Sequence, residues 1–214
     1  MIVHYKNFEN KKDFRCDIYL EETNKDTMVI ATPLKKKKHF YYNQKINLLR
    51  GHGYAKVGDK LYDLNNSYGV LDWGRGVWTY RNTWYWSSVN TTFEGKRIGW
   101  NLGYGFGDTS AASENMFFYN DRAYKLEHVK FEIPLNEKGN DDYLSPWTFR
   151  SNDNKIQVVF TPILDRYSGS NAIIIKSIQH QVFGKFSGSI EIDNGEIVQF
   201  DNIIGFAEKV YNCW

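Results

Sequence analysis

Hydrophobic positions along this chain recur with a period near two. Phe14, Cys16, Ile18 and Leu20 alternate with polar neighbours, and the apolar run 27–31 follows the polar turn Asn24-Lys25-Asp26. Alternation sends successive side chains to opposite faces, so both stretches read as strands. Residues 40–47 (FYYNQKIN) form a β-rich stretch whose aromatic face is interrupted by polar residues, and 53–64 alternate weakly around Gly58-Asp59, a hairpin signal. Further on, 115–119 and 123–133 flank Asn120-Asp121-Arg122, and Ile156, Val158 and Phe160 alternate within 155–160. The segment 171–184 starts apolar and carries Gln179, His180 and Gln181 in its second half. Residues 186–192 and 197–203 flank Asp193-Asn194-Gly195-Glu196, where Asn-Gly is the strongest local hairpin signal. Only 108–114 (DTSAASE) suggests a helical turn, with Ser110 or Ser113 as cap. The pattern predicts an all-β chain with little helix.

The densest stretch is 69–118, which holds five of the seven tryptophans. Ile98, Trp100, Leu102, Tyr104 and Phe106 would share one strand face, leaving Gly99, Asn101, Gly103, Gly105 and Gly107 on the other. A nearly bare face implies close approach from that side. The approaching group is either a neighbouring ring at a barrel bend or a ligand. Many antiparallel strands joined by hairpins make a sandwich or a barrel. Polar residues in mid-strand, such as Asn101 and Gln179 to Gln181, favour an antiparallel barrel or half-barrel with a partly polar lumen.

Composition supports this reading. Of 214 residues, 17% are aromatic, which favours strands, and 24% are charged, too ordinary for a disordered chain. A net charge of +2 gives no electrostatic case for nucleic acid. The run Lys35-Lys36-Lys37-Lys38 follows Pro33-Leu34 and reads as a solvated turn. Cys16 and Cys213, far apart and without metal spacing, read as reduced thiols. No apolar run is long enough to span a bilayer and the N-terminus lacks a signal-peptide core, so a cytoplasmic location is expected.

Candidate chemistry centres on Asp72, in LDWGRG. On a strand, Asp72, Gly74, Gly76 and Trp78 would share one face, with Trp73 and Arg75 on the other. A carboxyl among indoles and away from water has its charged form disfavoured and suits a general acid. The alternative is a structural salt bridge from Asp72 to Arg75, Arg81 or Arg97. The glycine-rich GYGFGD (103–108) lacks the Lys-Ser/Thr of a phosphate loop. His4, His39, His52, His128 and His180 are scattered without ligand spacing, so no metal is expected; His180, between two glutamines, is the histidine to follow. No Gly-x-Ser-x-Gly elbow is present.

The segments LDWGRGVWTYRNTWYW (71–86), NLGYGFGDTSAASENMFFY (101–119), PILDR (162–166), QHQVFGKFSG (179–188) and IGFAEKVYNCW (204–214) resemble the domain of unknown function 2804 family, and FYYNQKINLL (40–49) fits it as well. The resemblance runs from about Thr27 to Trp214. It implies one barrel-like domain over 1–214, in which 1–50 is the remnant of a longer N-terminal half. That family is in turn remotely similar to the lipocalin-like (calycin) group of carotenoid hydratase-like and tocopherol cyclase-like proteins, whose barrels hold hydrophobic molecules.

Three functions are therefore expected of this chain. The first is binding of a small hydrophobic, lipid- or isoprenoid-like molecule by Trp73, Arg75, Trp84, Trp86, Trp100, Asn101 and Tyr104. The second is a cofactor-independent hydratase, isomerase or cyclase. Asp72 would donate a proton, Trp84 or Trp86 would face the carbocation, and Asn101, Asp108, Glu114 or His180 would position water or return the proton. The third is a structural or interaction module with a filled interior. No cofactor is expected, and neither the ligand nor the oligomeric state is legible.

Overall fold

The computed structural model describes residues 1–213. Six strands form a first antiparallel sheet: β1 (Ile2–Glu9), β2 (Lys12–Glu21), β3 (Met28–Pro33), β4 (Phe40–Val57), β5 (Lys60–Asp63) and β6 (Ser67–Val77). Nine more form a second: β7 (Arg81–Phe93), β8 (Lys96–Tyr104), β9 (Met116–Tyr119), β10 (Arg122–Lys125), β11 (Val129–Glu132), β12 (Trp147–Ser151), β13 (Ile156–Ala172), β14 (Ile175–Glu191) and β15 (Ile197–Cys213). The protein is all-β, and no helix occurs among the described residues. Of the two shapes expected, it adopts the half-barrel, twice: both sheets are strongly curled and neither closes on itself.

The 18-residue β4 is the spine of the first sheet. Its first half pairs with β3 on one edge and β6 on the other, and its second half with β2 and β5. The stretches read as successive strands around Asn24-Lys25-Asp26 are thus not a hairpin; both lie along β4. The second sheet runs β10-β9-β8-β7-β15-β14-β13-β12-β11. Hairpins fall where the turn residues placed them. Asn120 and Asp121, at φ 46° and 70°, join β9 to β10, and Gly195 at φ 79° closes the turn into β15.

Curling gives the second sheet its own core. Tyr104 on β8 packs against Phe131 on β11 with centroids 5.3 Å apart, although six strand spacings separate them along the sheet. A flat sheet would hold them about 29 Å apart. The enclosed face is filled by Trp100, Trp147, Phe149, Phe160 and Phe186, all fully buried. Ile98, Trp100 and Leu102 point into this core, as the alternation predicts, with Tyr104 packed against it. Phe106 does not join them. Gly105, at φ 94°, turns the chain out of the strand and sends Phe106 to the other side.

The bare face of β8 is covered by protein. A Cβ at Gly99 would meet Leu48 Cγ at 3.0 Å, and one at Gly103 would meet Glu114 Oε1 at 2.5 Å. A bulge between Ile46 and Leu49 holds Leu48 at φ 57° and aims it at the second sheet, where it joins Met28 and Phe118 in a small second core. Beside it the junction is polar. Asn47 Nδ2 donates to Ser88 Oγ (3.2 Å), Asn90 Oδ1 (3.0 Å) and the Trp100 carbonyl (3.0 Å).

Candidate functional site

Continuing along this seam from Asn47, the two sheets part around a cavity of about 260 Å3. Its rings are Tyr41, Trp78, Trp84, Trp86 and Phe106; its polar groups are Lys45, Asp72, Asn82, Glu114, Glu208 and Asn212. Alternation explains who faces it. On β4, Tyr41, Asn43, Lys45 and Asn47 share one side; on β7, Trp84 and Trp86 point away from the core that Tyr85 and Val89 enter. Phe106 is the hub of the wall, edge-on to Tyr41 (4.9 Å), Trp84 (5.5 Å) and Trp78 (6.1 Å).

Lys45, 5% exposed, carries the cavity's positive charge. Its Nζ donates to Glu114 Oε2 at 2.9 Å, lies 3.8 Å from Asp72 Oδ2 and sits 4.1 Å from the centre of the Trp86 ring. Glu114 also accepts from Asn101 Nδ2 at 3.0 Å, and Asn101 Oδ1 in turn receives the Trp86 indole at 2.7 Å. Burial would raise the Glu114 carboxyl, but the Lys45 charge and the hydrogen bonds from Asn101 and Lys45 outweigh it and leave it below the ordinary glutamate value.

Glu208, 3% exposed, is the least solvent-exposed carboxyl of the lining. Its Oε1 accepts from Trp84 Nε1 (3.1 Å), and its Oε2 from Gln179 Nε2 (3.2 Å) and Gln181 Nε2 (3.1 Å). Burial pushes this carboxyl up, and those three donors only partly offset it. Asn43 Nδ2 donates to Asp72 Oδ1 (2.6 Å) and to the Tyr41 hydroxyl (2.7 Å). Burial, together with the Asp72 and Glu114 charges, pushes the Tyr41 phenol well above its ordinary value. One cavity thus holds an ionised glutamate paired to lysine and a second glutamate that burial drives toward its neutral form, an arrangement able to bind a polar end or to exchange a proton.

A family model described as Domain of unknown function (DUF2804) matches residues 2–214. The chain belongs to the DUF2804 family. The match begins at residue 2, so the family likeness extends through β1 and β2 and not only from Thr27 onward. No curated protein and no solved structure matches the chain.

Within this DUF2804 fold the residues singled out from sequence separate into three groups. Asp72, Trp84, Trp86 and Glu114 line the cavity, and Asn101 stands directly behind it, fully buried. The basic partner of Asp72 is Lys45, not Arg75, Arg81 or Arg97; Arg97 pairs with Asp121. Trp73 and Arg75 lie on the opposite face of β6, both exposed, with Trp73 edge-on to Tyr42. Trp100 and Tyr104 belong to the core of the second sheet: the Trp100 indole donates to Ser87 Oγ, and the Tyr104 ring stacks on Tyr85.

Asp108 is exposed and accepts from the Ser110 amide (3.0 Å), and its segment forms no helical turn. Residues 108–114 lie in the irregular connection between β8 and β9, where the Asp108 amide donates to the Pro33 carbonyl at 2.8 Å. His180 points away from Gln179 and Gln181, hence away from the cavity. Its Nδ1 lies 2.7 Å from Asp165 Oδ2, and its ring stacks on Tyr143 at 3.7 Å.

Sequence reasoning missed Glu208, Lys45, Tyr41, Trp78 and Phe106 as lining residues. Two of them carried a signal. Lys45 interrupts the aromatic alternation of FYYNQKINLL, and Glu208 is a lone carboxylate inside the strand-like IGFAEKVYNCW.

Proposed function

We propose that this protein binds a small, largely apolar molecule in the cavity between its two sheets. The observation that carries the reading is the cavity itself: five aromatic rings around about 260 Å3, with a few fixed polar groups at its floor. Ligand sites combine apolar walls with a small number of placed polar groups, at volumes of about 300 Å3 upward. This one suits a small molecule or one end of a longer one. The occupied space is the inter-sheet seam, since rings fill the concave interior of the second sheet.

A second reading is cofactor-independent proton transfer to an alkene or a related group. It is favoured by Glu208, whose carboxyl is driven toward the neutral form beside Trp84 while Asp72 and Glu114 are engaged by Lys45. Glu208, rather than Asp72, is then the donor.

Native mass spectrometry after incubation with lipid and isoprenoid extracts tests both readings. Binding predicts a retained species lost in Trp84→Ala. Proton transfer predicts a species that wild type converts and Glu208→Gln holds unchanged. Absence of any retained species from folded wild-type protein would refute both.

A further inference from the structure

The cavity lining carries one ammonium, Lys45, against three carboxyls, Asp72, Glu114 and Glu208. Lys125, the next cation, lies outside the lining and donates to the Ser113 and Asn115 carbonyls. Lys45 is committed to Glu114 at 2.9 Å and stands 3.8 Å from Asp72, so Glu208 has no cation of its own; its three donors are neutral. Buried negative charge without a counter-charge is costly. Without a bound partner Glu208 meets this cost by being driven toward its neutral form, the shared Lys45 charge offsetting burial only in part. Its ionised form lacks a counter-charge that a cationic ligand would supply.

The walls around that carboxyl are rings. An aromatic face attracts a cation within about 6 Å, most strongly where water is excluded. The chain supplies an example inside this cavity, Lys45 Nζ at 4.1 Å from the Trp86 ring centre. Among the described residues no ammonium or guanidinium lies over Tyr41, Trp78, Trp84 or Phe106. Four more rings thus line the same space with their faces or edges uncommitted to a cation, and Trp84 is tied to Glu208 through its indole N–H.

We propose that the ligand of this cavity carries a positive charge: an ammonium or amine group on an otherwise apolar body, held among the rings of Tyr41, Trp78, Trp84 and Phe106 and balanced by Glu208. The inference rests on the ligand-binding reading and names the class of ligand. A neutral hydrocarbon would fill the same walls but leave the carboxyl excess uncompensated. An anionic ligand would add to it.

The test compares choline with its neutral isostere 3,3-dimethyl-1-butanol, titrated into the full chain and followed by tryptophan fluorescence and NMR. The two probes differ in charge and hardly in shape. Choline should bind about tenfold more tightly or better. Glu208→Gln should weaken choline far more than the isostere, so that the preference is lost. Trp78→Leu, at a wall position 46% exposed, should weaken choline more than the isostere. Equal affinities for the two probes, or tighter binding of the isostere, overturn the charge inference and leave an apolar site. Failure of both probes to bind folded wild-type protein overturns the ligand-binding reading with it. Should Glu208→Gln not fold, the wild-type comparison and Trp78→Leu decide between these outcomes.

Discussion

Glu208 and Glu114 line one cavity, yet their surroundings push them in opposite directions. Burial holds the Glu208 carboxyl above its ordinary 4.5, so the folded protein binds that proton more tightly than the unfolded chain does. Its contribution to stability is complete below 4.5 and is lost as pH rises through the folded value. For Glu114, burial is outweighed by Lys45 and Asn101 and the carboxyl lies below 4.5. Its contribution is present above that value and is lost as pH falls through the lower, folded one. Urea unfolding of Glu208→Gln and Glu114→Gln beside wild type, from about pH 3 to pH 8, should separate them. Glu208→Gln should gain on wild type as pH rises, and Glu114→Gln should recover toward wild type as pH falls. Parallel curves for the two variants would contradict this assignment.

At the scale of elements, β8 is the strand on which both layers depend. One face of it feeds Ile98, Trp100 and Leu102 into the core of the second sheet; the other is kept low by Gly99 and Gly103 so that Leu48 and Glu114 can close in. Gly103→Ala would place a methyl 2.5 Å from Glu114 Oε1. That atom ends a flexible side chain, so the glutamate should swing aside with the fold kept. The expected cost is about 1–3 kcal/mol, together with loss of the Lys45–Glu114 pair and weaker ligand binding. Gly99→Ala meets Leu48 Cγ at 3.0 Å and the Val89 carbonyl at 3.1 Å, neither at the free end of a chain. It should destabilise the protein without touching the cavity. Chemical denaturation and ligand titration of the two variants check the contrast.

For the whole molecule, what joins the half-barrels beside the cavity is a polar seam rather than a continuous core. The small cluster of Met28, Leu48 and Phe118 is its apolar part, and Asn47 is its main bolt, 1% exposed with three hydrogen bonds to the second sheet. Asn47→Ala removes all three bonds; Asn90 Oδ1 keeps the Leu48 amide at 2.7 Å, so the expected cost is about 1–3 kcal/mol, mainly from the Trp100 carbonyl and the lost packing. Because the aromatic core of the second sheet is its own, the loss should fall on the junction. Hydrogen exchange of the variant should rise in β3, β4 and β6 while β13 to β15 stay protected. Uniform loss of protection would show instead that the two sheets unfold as one unit.

Period-two alternation, Asn-Gly and Asn-Asp turns and the scarcity of helix signals determined the all-β class and most hairpins, because a strand's faces and a tight turn are settled by neighbours in the chain. The same local logic placed Asp72 on the cavity face of β6, with Trp78 just past its end, and Trp73 and Arg75 on the other face. The glycine-lined face of β8 showed that something must approach there. Only the tertiary structure decided what. Leu48 and Glu114 come from distant segments, brought in by a bulge in β4 and by the chain after Gly107. Curling likewise decided that Trp100 and Tyr104 serve the core and not a ligand, since which face becomes concave depends on the closing of strands six places apart. Glu208 became a site residue for the same reason. A carboxylate in a strand is unremarkable until Trp84, Gln179 and Gln181 converge on it across three strands, and no spacing along one chain encodes that meeting.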